Sequence, residues 1–308
     1  MSQLKEIASG LHFPEGPVAM PDGSVIVVEM LAPRLTRVLT DGTKETIADI
    51  PGGPNGAAIG PDGAVYLCNN GGCFTDLQMD GRSFPGPFSQ DRYIGGRIQK
   101  VDLGTGKVED LYTDCDGWPL RAPNDLVFDE HGGFYFTDHG YTDHATRIGH
   151  ATGIYYAQAD GSAIREVAFP VLSPNGIGLS PDGRKLYWAE TMNGRLTQRD
   201  VVAPGELGPA PFDASSCLYG FAGLQLLDSL AVDGAGNVCV ATLVNGGISV
   251  VSPEGELVEF VPVDDMLTTN ICFGGDDLRT AYITASSTGR LLQADWPRAG
   301  APLSYLNT

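Results

Sequence analysis

Short apolar runs alternate with turns rich in glycine and aspartate along almost the whole chain. The apolar run Leu126–Phe128 is followed by a polar turn and then by a second run, Phe134–Thr137. Two such runs around a tight polar turn are typical of a β-hairpin. The same arrangement recurs around Asp62-Gly63 and Asp182-Gly183. Because no long segment has helical periodicity, the pattern predicts an all-β protein built from repeated hairpins.

Six copies of this hairpin align on their turns, and each has a polar residue seven positions before the aligned turn position. We call these residues the polar ring: Glu15, Asn55, Asn124, Asn175, Asp228 and Asn270. Repeats of this length predict a single-domain, six-bladed β-propeller over residues 1–308, with four-stranded antiparallel blades around a central channel. The N-terminal strand at 3–8 is expected to close the last blade beside 289–294, which leaves the ring without edges. The six polar side chains would then meet around one axis.

Two long insertions interrupt the repeats. The first, at 74–96, contains Pro85-Gly86-Pro87 and several aromatic residues, and the second spans 140–152. Long loops within a compact domain are usually functional. The first insertion is therefore predicted to be an ordered irregular loop that covers one face of the ring as a lid.

Composition restricts the partners and the compartment. The formal net charge of −19 disfavours nucleic acid and anionic membrane surfaces as partners, which leaves a small-molecule substrate. The sequence contains neither an apolar signal segment at its start nor a run of 18 apolar residues, so a cytoplasmic protein is expected. In that compartment the six cysteines are predicted to be reduced, with a Cys68–Cys73 bridge as the alternative. Nothing in the sequence indicates the oligomeric state.

The chemistry of the polar ring indicates a metal. Carboxylates and amides are hard oxygen donors, which favour calcium or magnesium over softer ions. Four members would supply four ligands with two negative charges: Glu15, Asn124, Asn175 and Asp228. A divalent cation is therefore predicted, Ca²⁺ first, with Mg²⁺, Mn²⁺ or Zn²⁺ as alternatives. The competing interpretation is structural, because asparagine before glycine is a common turn residue.

Several motifs resemble the senescence-marker-protein/gluconolactonase (regucalcin-like) family over essentially the whole chain. They are Phe13-Pro14-Glu15-Gly16-Pro17, the stretch at 123–126, Ser173-Pro174-Asn175-Gly176 and the stretch at 270–275. The resemblance implies a six-bladed propeller with one divalent ion on its axis and a lactone-hydrolysing activity. It also implies Glu15, Asn175 and Asp228 as metal ligands, with Asn124 contacting the ion or the substrate. Arg121 resembles a family arginine that holds substrate, although its spacing from Asn124 differs by one residue.

Further candidates lie where the second strand of a hairpin ends, at the mouth of the channel next to the polar ring. They are Glu29, Asn70, Asp138, His139, Glu190 and Thr242. Asp228 and His139 are predicted to be catalytic, as the base and as a proton relay, with a metal-bound water assisted by another group as the alternative to Asp228. Arg121, Asn124, Asn55 and Asp138 are predicted to bind substrate. The chain lacks the family's glutamate after the inner strand and has Asp138-His139 instead, so a sugar lactone is not the only expected substrate.

Three functions are compatible with these residues. The first hypothesis is a metal-dependent lactonase that opens a cyclic ester with an activated water. The second is a phosphotriester or fluorophosphate hydrolase that uses the same metal site. The third is a non-catalytic calcium-binding propeller.

Overall fold

The computed structural model describes residues 4–210 and 216–307. In this part of the chain the regular secondary structure consists of strands, which make up 56%. They form six antiparallel sheets arranged as the blades of a six-bladed β-propeller, as the sequence pattern predicted. We call the end of the axial channel where the inner strands begin the upper end.

The first strand, β1 (Lys5–Ala8), belongs to the last blade, and the next three blades follow in chain order. Blade one contains β2 (Pro14–Ala19), β3 (Val25–Glu29), β4 (Arg34–Val38) and β5 (Lys44–Asp49). Blade two contains β6 (Pro54–Ile59), β7 (Val65–Asn69), β10 (Arg97–Val101) and β11 (Val108–Tyr112), with β8 (Phe74–Met79) and β9 (Arg82–Phe88) inserted as a separate hairpin. A short hairpin, β12 (Asp114–Cys115) and β13 (Trp118–Pro119), leads to blade three. Blade three contains β14 (Pro123–Phe128), β15 (Gly133–Asp138), β18 (Thr152–Gln158) and β19 (Ile164–Val171), with the hairpin β16 (Thr142–Asp143) and β17 (Ile148–Gly149) inserted.

The remaining blades complete the ring. Blade four contains β20 (Pro174–Leu179), β21 (Lys185–Glu190), β22 (Arg195–Ala203), β23 (Glu206–Leu207) and β24 (Cys217–Gly220). Blade five contains β25 (Leu226–Val232), β26 (Val238–Leu243), β27 (Gly247–Val251) and β28 (Leu257–Pro262). Blade six contains β29 (Thr268–Gly274), β30 (Thr280–Ala285) and β31 (Arg290–Asp295). Its fourth strand is β1, which pairs antiparallel with β31, so the predicted closure is confirmed; residue 3 of the predicted strand lies outside the described residues.

Large side chains from adjacent blades interlock between the sheets. Tyr66 of blade two packs edge-on against Phe128 of blade three, with ring centroids 5.0 Å apart. Its hydroxyl donates a hydrogen bond to the carbonyl of Ala159 at 3.0 Å. Edge-to-face aromatic pairs contribute about 0.5–1.5 kcal/mol beyond their buried area. Contacts of this kind fix the angle between blades and therefore the diameter of the channel.

The first insertion forms a hairpin, so the predicted irregular loop is wrong for this part of the chain. We call β8 and β9 together, Phe74–Phe88, the lid hairpin. Its Pro85-Gly86-Pro87 segment lies in β9, and a two-stranded sheet has only edges, where proline is tolerated. The Ser83 N–H donates a hydrogen bond to the carbonyl of Ser287 at 2.9 Å, so the hairpin extends from blade two to blade six at the upper end. Stacking of Phe88 on Tyr141, with centroids 4.1 Å apart, joins the two insertions.

The six cysteines lie within the described residues and carry free thiols. Five are buried, including Cys68 and Cys73, and burial raises the pKa of both of these thiols. Among residues 4–210 and 216–307, no helix has the length and apolar character needed to cross a membrane.

Candidate active site in the axial channel

A register shift interrupts every inner strand at its polar-ring residue. The ladder between first and second strand slips within these intervals: Glu15–Val18, Pro54–Ala57, Pro123–Leu126, Pro174–Ile177, Leu227–Leu230 and Thr268–Asn270. Such irregularities are typical of β-bulges, which bend a strand and redirect a side chain. Four of the inner strands begin with proline, which has no N–H and is tolerated at the first position of a strand.

The strands approach one another closely at this level. Glycine follows the polar-ring residue in three blades, at Gly16, Gly56 and Gly176. A Cβ on Gly56 would lie 2.5 Å from the Asp125 carboxylate, and one on Gly16 would lie 2.5 Å from the Asn55 carbonyl. Both distances are too short for non-bonded contact, so only glycine fits without movement. The polar-ring side chains are therefore held on a closely packed frame.

Glu15 is buried among other polar groups near the axis. Its carboxylate receives hydrogen bonds from Thr269 and Asn270, which lower its pKa. Burial, the main cause, and the nearby Asp228 carboxylate nevertheless raise the pKa of Glu15 well above its usual range. The Glu15 Oε2 atom has no hydrogen-bond partner among the described residues.

Asp228 faces the same centre from blade five. Burial is the main cause that raises the pKa of Asp228 to about 7, and repulsion from Asp125 adds to it. A hydrogen bond from Asn175 acts in the opposite direction. The Asn175 amide is fixed in turn by donating to the Thr191 hydroxyl at 3.1 Å. Asp228 therefore lies close enough to influence both Glu15 and Asn175, and their predicted role as ligands of one metal ion stays a prediction.

Asp125 was not recognised as part of this cluster from the sequence. Its carboxylate accepts a hydrogen bond from the N–H of Leu126 at 2.9 Å and lies close enough to Glu15 and Asp228 to raise the pKa of both. Burial raises its own pKa to about 7, while a hydrogen bond from Ser229 partly offsets this effect. The only sequence signal is that Asp125 stands where the other Pro-Asn motifs, at 54–56 and 174–176, have glycine.

These residues fit a hard divalent cation. Two buried oxygens of the polar ring have no partner in the described part of the chain, Glu15 Oε2 and Asn124 Oδ1. The neighbours that set the pKa values of Glu15 and Asp228 are acids, amides, hydroxyls and backbone, so the excess negative charge lacks a cation. Within the described residues, no set of three His, Cys, Asp or Glu side chains forms a metal cluster, and two of the four proposed donors are amides. Oxygen donors of this kind suit Ca²⁺ or Mg²⁺.

The other two polar-ring residues have different surroundings. Asn270 accepts the N–H of Ile271 at 2.8 Å and also supports Glu15. The Asn55 amide lies 3.8 Å from the Met30 sulfur, and the Asn70 amide lies 3.4 Å from the same atom. The predicted substrate contact of Asn55 stays a prediction.

Most of the predicted strand-end residues hold neighbouring loops in place. Glu29 accepts from the His12 N–H, the Thr36 hydroxyl and the Arg34 guanidinium, at 2.7–3.0 Å. Asp138 accepts the N–H groups of Arg121 and Ala122, both at 2.7 Å, and that of Gly140 at 3.1 Å. Glu190 accepts from Thr197 and Trp188, and Thr242 donates to Gly247. The contacts of Glu29 and Asp138 fix segments that precede inner strands, whereas those of Glu190 and Thr242 lie within their own blades. The predicted role of Asp138 in substrate binding stays a prediction.

His139 and Arg121 keep free polar atoms near the mouth. The Nδ1 of His139 lies 3.0 Å from the Gly140 carbonyl, which orients that nitrogen as the donor and leaves Nε2 as an acceptor. Burial lowers the pKa of His139, so the neutral ring that a base requires is favoured. The lid residue Phe74 stands over this ring at 6.5 Å between centroids. Arg121 is fixed by its backbone to Asp138 and to the Tyr93 hydroxyl, and its guanidinium lies near His150, whose pKa it helps to lower.

The matches to known proteins agree with this architecture. The family model described as SMP-30/Gluconolactonase/LRE-like region matches residues 13–287. The chain belongs to this family. A gluconolactonase of Zymomonas mobilis is 25% identical over 92% of this chain and 79% of its own length. A lactonase, drp35, of Staphylococcus saprophyticus is 33% identical over 58% of this chain, and the match spans about half (52%) of that relative.

Among solved structures, a calcium-binding protein, regucalcin, from Agrobacterium tumefaciens superposes with a TM-score of 0.73. The superposition covers 97% of this chain and 94% of that protein, at 17% sequence identity. At this identity the likeness supports the SMP-30/gluconolactonase propeller fold. The sequence resemblance to this family is thus confirmed.

Proposed function

We propose that this member of the SMP-30/gluconolactonase family is a divalent-metal-dependent lactonase whose active site lies at the upper end of the channel. The observation that carries the proposal is the buried Glu15 Oε2 atom, which has no partner among the described residues and lies near the Asp228 carboxylate, together with the unpartnered Asn124 Oδ1 atom of the same polar ring. Burying such groups without a partner is costly, and a cation would remove that cost. The names of the gluconolactonase and lactonase relatives and the calcium-binding neighbour support the choice of reaction and ion.

Four residues would hold the ion: Glu15, Asn124, Asn175 and Asp228. When bound there, a divalent ion supplies positive charge that polarises the lactone carbonyl. Amide ligands keep two of the donors neutral, so the two carboxylates balance the charge of the ion. Calcium is the first choice because all the donors are oxygens.

The proposed base is Asp228. It takes a proton from a water molecule as the water oxygen bonds to the lactone carbonyl carbon. The bond between that carbon and the ring oxygen then breaks, and the proton passes to the leaving alkoxide, which yields a hydroxy acid. A base must be able to take up a proton, which the carboxylate of Asp228 can do and the amides of Asn124 and Asn175 cannot.

Two residues at the mouth are proposed to assist. Arg121 would orient the substrate through its guanidinium, which lies near His150 at the base of the second insertion. His139 Nε2 would relay the proton to solvent because the opposite ring nitrogen is engaged with Gly140. In these roles, the side chains of Arg121 and His139 would lie between the polar ring and bulk water.

The test is a metal-reconstitution series. Metal-stripped protein is supplied in turn with Ca²⁺, Mg²⁺, Mn²⁺ or Zn²⁺ and assayed on a lactone panel and a phosphotriester panel. We expect lactone turnover that depends on the ion, and a melting temperature that falls on chelation. An ion at 100 times its Kd stabilises the folded chain by about 2.7 kcal/mol. Glu15→Gln should lose this response to chelation, whereas Asp182→Asn, in an exposed turn at the lower end, should keep it.

Two results would contradict the proposal. Full lactone turnover by the metal-stripped protein would remove the ion from the mechanism. Turnover confined to the phosphotriester panel would keep the metal site and replace the reaction.

A further inference from the structure

Many of the large apolar side chains that remain exposed lie at the upper end of the propeller. We call six of them the apolar collar: Met79, Leu172, Met192, Leu224, Val244 and Met266. Their exposed fractions run from 40% for Val244 to 75% for Leu224. Met79 ends the first strand of the lid hairpin, and the other five lie in loops just before an inner strand or just after a second strand of blades four to six. They therefore face the same side as the candidate active site.

Backbone hydrogen bonds join the loops that hold collar residues. The Thr191 N–H donates to the Ser173 carbonyl at 3.0 Å, which places Met192 beside Leu172. The Val244 N–H donates to the carbonyl of Met266, also at 3.0 Å.

Two further contacts extend this chain of loops. The Phe221 N–H donates to the Gly194 carbonyl at 2.9 Å and links the loop of Met192 to the segment that contains Leu224. On the other side, the lid hairpin reaches Ser287, while Ser286 donates to Leu267, the neighbour of Met266. The collar residues thus stand on neighbouring, hydrogen-bonded loops of the lid tip and blades four to six. Large apolar side chains that are exposed together at one end of a protein favour a binding site there.

Few polar groups at the mouth remain available for a polyhydroxylated substrate. The carboxylates of Glu29, Asp138 and Glu190 are all used by internal donors, as described above. On the opposite wall, the lid contributes the aromatic ring of Phe74 above His139, and Phe88 stacks on Tyr141. In the described part of the mouth, apolar and aromatic side chains therefore stand near the Arg121 guanidinium and the His139 Nε2 atom.

From this distribution we infer that the apolar collar binds an alkyl or aryl substituent of the substrate. The enzyme would then prefer lactones that carry an apolar tail over polyhydroxylated sugar lactones. The lactone ring reaches the polar ring, and the tail lies across the collar towards solvent. This inference rests on the proposed lactonase function and specifies its substrate class.

The first experiment measures kcat/KM on δ-lactones of increasing tail length, from δ-valerolactone to δ-dodecalactone, with glucono-δ-lactone as the polar comparison. Each fully buried methylene is worth about fourfold in binding, and about twofold on a half-exposed border. We therefore expect kcat/KM to rise by about twofold per methylene until the collar is covered. Glucono-δ-lactone should be turned over less well than δ-decalactone.

A matched pair of variants tests the location. Leu224→Ser and Met192→Ser alter collar residues that are 75% and 62% exposed, so neither change should disturb folding. Val202→Ser, at a lower-end residue that is 60% exposed, is the control. The collar variants should flatten the tail-length series and leave δ-valerolactone turnover unchanged, while the control should retain the full series.

The outcomes separate this inference from the proposed function. A chain that hydrolyses no lactone, δ-valerolactone included, contradicts both. A flat tail-length series, or a preference for glucono-δ-lactone, overturns the inference and leaves the lactonase proposal intact. Light scattering gives a further check: a dimer that Leu224→Ser dissociates, together with a flat series, would assign the collar to a second copy of the chain.

Discussion

The upper and lower halves of the axial channel are built from the same six strands but differ in chemistry. The upper half holds the polar ring, with its buried acids and unpartnered oxygens. The lower half is a cavity of about 580 Å³ lined by both apolar and polar side chains, Asn270 of the polar ring among them, and bordered by residues 301–304 and Leu306. Ala301 is tied to blade five through the Val232 carbonyl, while Tyr305 packs on Phe128 of blade three. This terminal segment therefore crosses the lower end, and the lid hairpin crosses the upper end.

Along each inner strand, the polar-ring residue and the residue that follows it differ in the chemistry of their side chains. The positions after the polar ring are mostly small or apolar: Gly16, Gly56, Asp125, Gly176, Ser229 and Ile271. Three of them, Gly16, Asp125 and Ile271, border the lower cavity. A bulge places the polar side chain on the axis, and the following residue packs against a neighbouring strand. Asp125 is the one acid among these six positions. It lies on the border of the lower cavity, and its charge acts on the upper site. The comparison teaches that the proposed metal site and the lower cavity are separated by a single layer of side chains.

The largest expected effect comes from changing the base in that layer. Asp228→Asn keeps an oxygen ligand but cannot take up a proton, so kcat should fall on the order of 100-fold or more while some ion remains bound. Asp125→Asn, one layer below, should change kcat far less. Metal content and kcat for both variants provide the measurement. Near-normal turnover by Asp228→Asn would exclude it as the base, and His139 would be tested next.

A second effect concerns the pH dependence of stability in metal-stripped protein. Burial raises the pKa of Asp228 and of Asp125 from 3.8 to about 7. Because the folded state holds these protons more tightly than the unfolded chain, it is favoured at low pH. Its free energy of unfolding should fall as pH rises from about 4 to about 7, on the order of a few kcal/mol.

Urea unfolding at several pH values measures this slope. Asp125→Asn should reduce it, and calcium should largely abolish it, because the ion favours ionised carboxylates. A slope that is the same in wild type and Asp125→Asn would show that Asp125 is not part of the coupled acids.

The smallest effect is expected at the lower end. Leu306 packs against the apolar cluster of blades one and two, so Leu306→Ala should lower the free energy of unfolding by about 1–2 kcal/mol. Because the change is far from the polar ring, kcat/KM should stay within about twofold of wild type. Leu303→Ala, at a more exposed neighbour, is the control and should cost less than about 0.5 kcal/mol. A large loss of kcat/KM in Leu306→Ala would show that the two halves are coupled.

The repeat in the sequence predicted the fold because each hairpin has its own turn signal. Asp-Gly turns and alternating apolar runs are local, so the blade number, the closing strand and the positions of the polar ring could be predicted. The bulges could not, because a register shift depends on how two strands pair. The two strands of the lid hairpin were also not predicted, because Pro85 and Pro87 argue against a strand unless that strand lies at the edge of a sheet.

The candidate site likewise contains residues that the sequence predicted and residues that it did not. Glu15, Asn175 and Asp228 occupy equivalent positions in their repeats, so their proximity followed from alignment alone. Asp125 was missed because its importance depends on burial, which a single sequence does not reveal. Glu29 and Asp138 attracted attention as acids at the mouth, but only the structure reveals the backbone and side-chain donors that they satisfy.

Closure by β1 and β31 also determines when the molecule can become complete during synthesis. The two strands that pair are separated by 281 residues, from 9 to 289. At about 5–20 residues per second, a ribosome needs roughly 14–56 s to produce that interval. Throughout this time β1 has no partner, and blade one lacks its neighbour across the ring junction. The nascent chain therefore carries an open sheet edge, and blade six must be made before the channel, and with it the arrangement around Glu15, is finished.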